Sequence, residues 1–106
     1  MMPNYKQVAL IFKALSDETR LRIIEMLKGG ELCACMILEH FNITQPTLSY
    51  HMKILTESGL VNARRDGAWM RYSINNDGFE TVRTFCTEFC GSIGNHDSLN
   101  FSEMRE

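Results

Sequence analysis

At 106 residues with 44% hydrophobic side chains, the chain is one small domain whose core is marginal for a monomer. The net charge of −2 is unevenly spread: residues 41–75 carry four basic groups against two acidic ones, and residues 76–106 carry two against six. This argues against an indiscriminate electrostatic binder of nucleic acid but not against a specific one, because affinity follows the charges that face the phosphates.

The opening MMPNYKQ leads straight into an amphipathic pattern, with no signal-peptide character and no apolar run of membrane-spanning length, so a cytosolic protein is expected. In that reducing compartment, four cysteines read as reactive thiols or small buried side chains before they read as a disulfide framework.

Tyr5, Val8, Ile11, Phe12 and Leu15 recur at spacings of three and four, predicting a first helix over about Asn4 to Leu15. Ser16 or Asp17 caps a second helix with Leu21, Ile24 and Leu27 inward, ended by Gly29-Gly30. Arg20 and Arg22 near its start are in reach of phosphate, although solvated charge is the plainer account.

The stretch Glu31 to Leu60 organises the rest. Leu32, Ile37, Leu38 and Phe41 keep helical spacing, Asn42 and Ile43 interrupt it, and Thr44 starts another helix as its N-cap with Pro46 in the first turn. Leu48, Met52 and Leu55 make the buried stripe of that helix, leaving Gln45, Thr47, Ser49, Tyr50 and Lys53 outward. Short polar side chains near a helix N-terminus suit base edges in the major groove, with a solvated helix face as the bland alternative.

After Ser58-Gly59 the period changes to two. Asp66-Gly67 signals a tight hairpin; Val61, Ala63 and Arg65 share one face of its first strand, and Met70, Tyr72 and Ile74 one face of its second. A hairpin directly after two helices and a turn is the arrangement of a winged helix, in which Arg64, Arg65 and Arg71 approach the DNA backbone or minor groove, with ordinary outward-facing strand charge as the equal alternative. Trp69 reads as packing.

The last helix begins at Asn76 or Asp77, with Phe79, Val82, Cys86, Phe89 and Ile93 along one seam. Two seamed terminal helices suggest a symmetric dimer joined through the first and last helices; packing within one chain is the alternative. The expected architecture is mainly α with a two-stranded β-hairpin, a winged helix-turn-helix of order ααααββα over residues 1–93, with 94–106 as a flexible C-terminal tail.

Cys33 and Cys35 fall around the first turn of the third helix, where positive potential favours thiolate, the form that binds soft metals and metalloids. Side chains two apart on a helix diverge, so one ion held by both sulfurs should unwind that turn and disturb the helix packed on it. Two buried cysteines acting as small apolar residues are the alternative. Cys86 and Cys90, one turn apart on the last helix, read as packing before coordination. His40, His51 and His96 are scattered, and His51 sits at a core boundary.

From about Val8 to Ile74 the chain resembles the ArsR family of metal- and metalloid-responsive repressors. FKALSDETRLRIIEML looks like the family's opening helices, ELCACMI is similar to the ELCxC signature of its arsenic-responsive branch, and ITQPTLSYHMKILTESGLV with RRDGAWMRYSI looks like its recognition helix and wing. The resemblance implies a dimeric repressor on double-stranded operator DNA upstream of resistance genes, released by trivalent arsenic or antimony, with no organic cofactor. Cys33 and Cys35 inherit the ligand role, and Gln45, Thr47, Ser49, Tyr50 and Lys53 inherit operator contact.

Met36 and Leu38 stand where some relatives have an acidic residue and a third cysteine. Trivalent arsenic prefers three thiolates, which leaves Cys86 or Cys90 of either subunit, a small exogenous thiol, or a two-sulfur site. The N-terminal arm has no cysteine and the last helix is not histidine-rich, which weighs against cadmium, lead and zinc sensing. A thiol redox switch, a cadmium, lead or zinc regulator of the same fold, a thiol reductase and a protein-docking winged helix are the competing readings; nothing resembling a general base or phosphate-cradling loop accompanies the cysteines to support an enzyme.

Overall fold

Helix α1 (Tyr5–Leu15) opens behind Asn4, whose side chain accepts the Gln7 N–H at 3.1 Å. In the computed structural model, which describes residues 4–95, α1 is followed by α2 (Glu18–Leu27), β1 (Leu32–Cys33), α3 (Ala34–Glu39), α4 (Gln45–Glu57), β2 (Val61–Asp66), β3 (Trp69–Ile74) and α5 (Asn76–Ser92). The expected elements are all present, and the sheet gains a strand: its order is β1-β3-β2, antiparallel throughout, with Leu32 opposite Tyr72 and Cys33 opposite Arg71. The tail expected over 94–106 lies, beyond Asn95, outside the described residues, as does His96.

The core lies between α1, α2, α3, α4 and the root of the sheet, with Ile11, Ile23, Ile37, Met52, Leu55 and Leu60 sealed from solvent. Along α1 the stripe holds for Val8 and Ile11, whereas Tyr5 and Phe12 are more than 40% exposed. Phe12 meets Phe85 of α5 edge-on at 6.0 Å, and Phe85 stacks on Phe89. Phe89 and Ile93 remain well exposed, so the α5 seam is only partly covered within one chain.

Helix α2 is rotated from its expected setting. Asp17 is the cap, accepting the Arg20 N–H at 3.0 Å, but the inner face carries Arg20, Ile23 and Leu27, and Leu21 is half exposed. Arg20 is thus a buried charge, not a solvated one. Its donors find acceptors inside the fold, which is what lets an arginine take an apolar position.

Helix α4 behaves as expected. Thr44 caps it by accepting the Thr47 N–H, Pro46 sits in the first turn, and Leu48, Met52 and Leu55 are buried. The helix stops at Ser58-Gly59, where Gly59 takes φ +86° and Ser58 Oγ donates to the Leu55 carbonyl at 2.8 Å. The backbone of Gly59 and Leu60 lies directly against Gly78 of α5, where any Cβ would collide with the Gly59 carbonyl. With Asn75 N–H donating to Leu60 O at 2.9 Å, this contact pins the start of α5 to the exit of α4.

The hairpin faces are as expected, with Val61, Ala63 and Arg65 opposite Ile74, Tyr72 and Met70. The loop itself falls on Gly67-Ala68, one residue past the Asp66-Gly67 pair, because Asp66 pairs with Trp69. Only Gly67 needs positive φ, at +65°, consistent with a turn that asks for glycine at its first central position. Trp69 is 37% exposed at the strand end, more open than a packing role implies.

Candidate nucleic-acid interface and sulfur site

Gln45, Thr47, Ser49, Tyr50 and Lys53 are all exposed along the outer side of α4, opposite its buried stripe. Helix α3, the Phe41–Thr44 turn and α4 form the helix-turn-helix, and β2 and β3 project beside it as a wing. The surface offers hydroxyls, an amide, a phenol and an ammonium on one rigid rod, donors and acceptors matched in reach to base edges.

The three wing arginines differ in what holds them. Arg64 is clamped by Glu31 through two bonds, Nε to Oε2 at 2.8 Å and Nη2 to Oε1 at 2.7 Å. The guanidinium holds the Glu31 carboxyl below its ordinary value, and the carboxylate in turn raises Arg64. Arg71 Nε donates to Asp66 Oδ2 at 2.6 Å, which lowers the Asp66 carboxyl. Arg65 has no ion pair within the described residues and is exposed, so it is the wing cation readiest for a phosphate. Equivalent by sequence, the three arginines are separated only by their pairing.

At the sulfur pair the structure departs from expectation in two ways. Cys33 precedes α3 instead of lying in its first turn: it is extended (φ −68°, ψ 144°), belongs to β1, and caps the helix by accepting the Cys35 N–H on its sulfur at 3.2 Å. Its Cα is 5.2 Å from that of Cys35, and the two sulfurs meet as a disulfide. No turn has to unwind to bring them together, because one cysteine is strand and the other helix. As thiolates, the same pair would present two convergent soft donors at a helix N-terminus.

Cys33 is buried and Cys35 half-buried, whereas Cys86 and Cys90 are free and exposed on α5. Among the described residues, no group of three or more His, Cys, Asp or Glu is placed to hold a metal ion, so Cys86 and Cys90 do not join the pair within one chain. His40 is occupied locally, its Nδ1 lying 3.0 Å from the Met36 carbonyl.

A polar outward helix stacked on a shorter one, flanked by a basic hairpin, defines a winged helix-turn-helix regulator. Residues 17–63 match the family described as bacterial regulatory protein, arsR family. The chain is 51% identical over 73 residues to the arsenical resistance operon repressor of Staphylococcus aureus, covering 69% of this chain and 70% of that one. It superimposes on a crystal structure of an ArsR family transcriptional regulator with TM-score 0.81, over 86% of this chain and 94% of the other, at 24% identity, a likeness of fold. A solution NMR structure of a homodimeric winged helix-turn-helix DNA-binding domain from Mycobacterium bovis, a possible ArsR-family regulator, matches with TM-score 0.65 and 29% identity, over 91% of this chain and 87% of that one. The chain belongs to the ArsR family of DNA-binding transcriptional regulators, and its family and relatives are not enzymes. Within the described residues, no helix is long and apolar enough to cross a membrane.

Proposed function

We propose that the protein is a dimeric, cytoplasmic repressor that leaves its operator when Cys33 and Cys35, reduced to thiolates, capture trivalent arsenic or antimony. The convergence of the two sulfurs at the start of α3 carries this reading. It is supported by the likeness to the S. aureus arsenical resistance repressor. Gln45, Thr47, Ser49, Tyr50 and Lys53 read the operator, and Arg65, with Arg64 and Arg71, meets its backbone. The exposed Phe89 and Ile93 on α5, together with Tyr5 and Phe12 on α1, supply the apolar surface that a partner copy covers.

The capture is transmitted by attachment, not by unwinding. Cys35 lies in the first turn of α3, the first helix of the reader, and Cys33 is laddered to Arg71 in the wing. An ion drawing on both sulfurs acts on both DNA-facing parts, and release requires only that the ion bind the off-DNA arrangement more tightly. A third sulfur comes from Cys86 or Cys90 of the partner subunit, or from a small thiol.

Operator-binding anisotropy on the fully reduced protein tests this against arsenite, antimonite, cadmium, lead and zinc. Cys33→Ser and Cys35→Ser proteins should bind the operator with wild-type affinity and stay bound in arsenite; release at wild-type arsenite concentrations would refute the assignment. Cys86→Ser and Cys90→Ser, titrated separately, locate the third sulfur by a weakened arsenite response. The disulfide itself favours a second reading, a redox switch in which a peroxide takes two electrons from the thiol pair. Peroxide would then release DNA with no metalloid present.

A further inference from the structure

The side chains of Arg20 and His51 belong neither to the outward face of α4 nor to the sulfur pair, yet they form a largely buried polar connection between helices. Arg20 is 8% exposed and the His51 side chain 12%. We infer that this pair is the strut that fixes the setting of α4 on the scaffold, a positioning pair for reading the operator.

The guanidinium spans three helices. Its Nε donates to the Ala14 carbonyl at 2.7 Å in the last turn of α1, and its Nη2 lies 3.4 Å from the Lys13 carbonyl, which the N–H and hydroxyl of Ser16 also bond. A cation there also meets the negative end of the α1 dipole. Its Nη1 lies 3.0 Å from Nδ1 of His51, midway along α4. Arginine has only donors, so Nδ1 must accept and the imidazole proton resides on Nε2. Asp17, the α2 cap, sits behind the pair with Oδ2 3.9 Å from Nδ1 and its carboxyl lowered, chiefly by the Arg20 backbone N–H.

One planar fork therefore ties the end of α1 to the middle of α4, and its geometry admits little tilt, since a guanidinium holds its donors in a fixed plane. On α4, His51 stands between Tyr50 and Met52, with Lys53 one residue further. The Tyr50 ring packs edge-on against the imidazole at 5.5 Å. The strut thus reaches the exposed reading face through one aromatic contact. Base-edge hydrogen bonds weaken steeply with misalignment, so a reader freed to rock loses operator contacts before it loses phosphate attraction.

The test compares His51→Leu with His51→Asn, whose side-chain oxygen takes the place of Nδ1. Binding is measured to a duplex selected in vitro by the wild-type protein and to a random-sequence duplex of equal length. His51→Leu should bind the selected duplex at least about tenfold more weakly and random DNA nearly as before, and His51→Asn should recover most of the difference. Thermal unfolding of both variants accompanies the binding data. Unchanged operator affinity in His51→Leu, a parallel loss on both duplexes, or an Asn variant no better than Leu would each overturn the strut. Arsenite plays no part in the readout, so the outcome is independent of the inducer assignment.

Discussion

Two arginines, Arg20 and Arg64, each tie distant parts of the chain together, and they do so in opposite ways. Arg20 is buried and satisfied by neutral acceptors, two carbonyls and an imidazole. Arg64 is exposed and satisfied by a carboxylate, Glu31, two residues before Cys33. Removing a partner from a buried charge leaves it desolvated and unpaired, whereas water replaces a lost partner at the surface. The scaffold that holds the reader is therefore the costly, rigid connection. The strap between the segment before Cys33 and the wing is the weaker one, exposed to water.

The largest effect should come from the buried side. Arg20→Met strips three bonds at once, among them the one to the Ala14 carbonyl and the one to His51; we expect a stability loss of about 2–3 kcal/mol, read by urea unfolding. A loss no greater than for exposed Arg22→Met would dissolve the distinction.

Asp17 comes next, because it caps α2 and backs the strut. Asp17→Ala should cost about 1 kcal/mol, while Asp17→Asn keeps the cap and loses the charge. The Asp17 carboxyl is held below its ordinary value of 3.8, so its contribution is present above that pH and fades as the pH falls through the lowered value. Wild type should therefore lose stability below about pH 4 more steeply than Asp17→Asn, in paired acid titrations followed by circular dichroism.

The smallest effect on stability, and the most telling for function, belongs to Glu31→Gln. Its melting temperature should match wild type, since the pair is exposed. The ratio of operator affinities without and with arsenite should shrink about threefold or more, because the wing is no longer strapped to the segment that carries the thiols. An unaltered ratio would leave the β1–β3 ladder and the packing of α3 on β3 as the links between sulfur and wing.

Much of this was legible in the residues. Thr44 and Pro46 mark the start of α4, Leu48, Met52 and Leu55 its buried side, and Ser58-Gly59 its end, because caps and periodicity are local properties. The exposed reading face followed from the same stripe. Strand β1 was not legible: two residues have no period, and Leu32 and Cys33 are strand only because β3 lies alongside. Helical spacing alone sets Cys33 in the turn of a helix, where the two sulfurs diverge; pairing with β3 makes it strand and lets them converge.

The burial of Arg20 has a local signal in the sequence. It stands three and seven residues before Ile23 and Leu27, squarely on the inner face of α2. Charge argued for solvent, and only the arrival of α1 carbonyls and a histidine from α4 made burial affordable.

By itself, then, the amino-acid order determined which segments are helices, where α4 begins and stops, and that a hairpin follows it, since all of these depend on neighbours within a turn or two. What only the tertiary structure decided is which cations are paired within the protein and which stay exposed, and that the two sulfurs meet. Those outcomes depend on partners 31 or 33 residues away in the chain, as Arg20 with His51 and Arg64 with Glu31, and no local pattern encodes them.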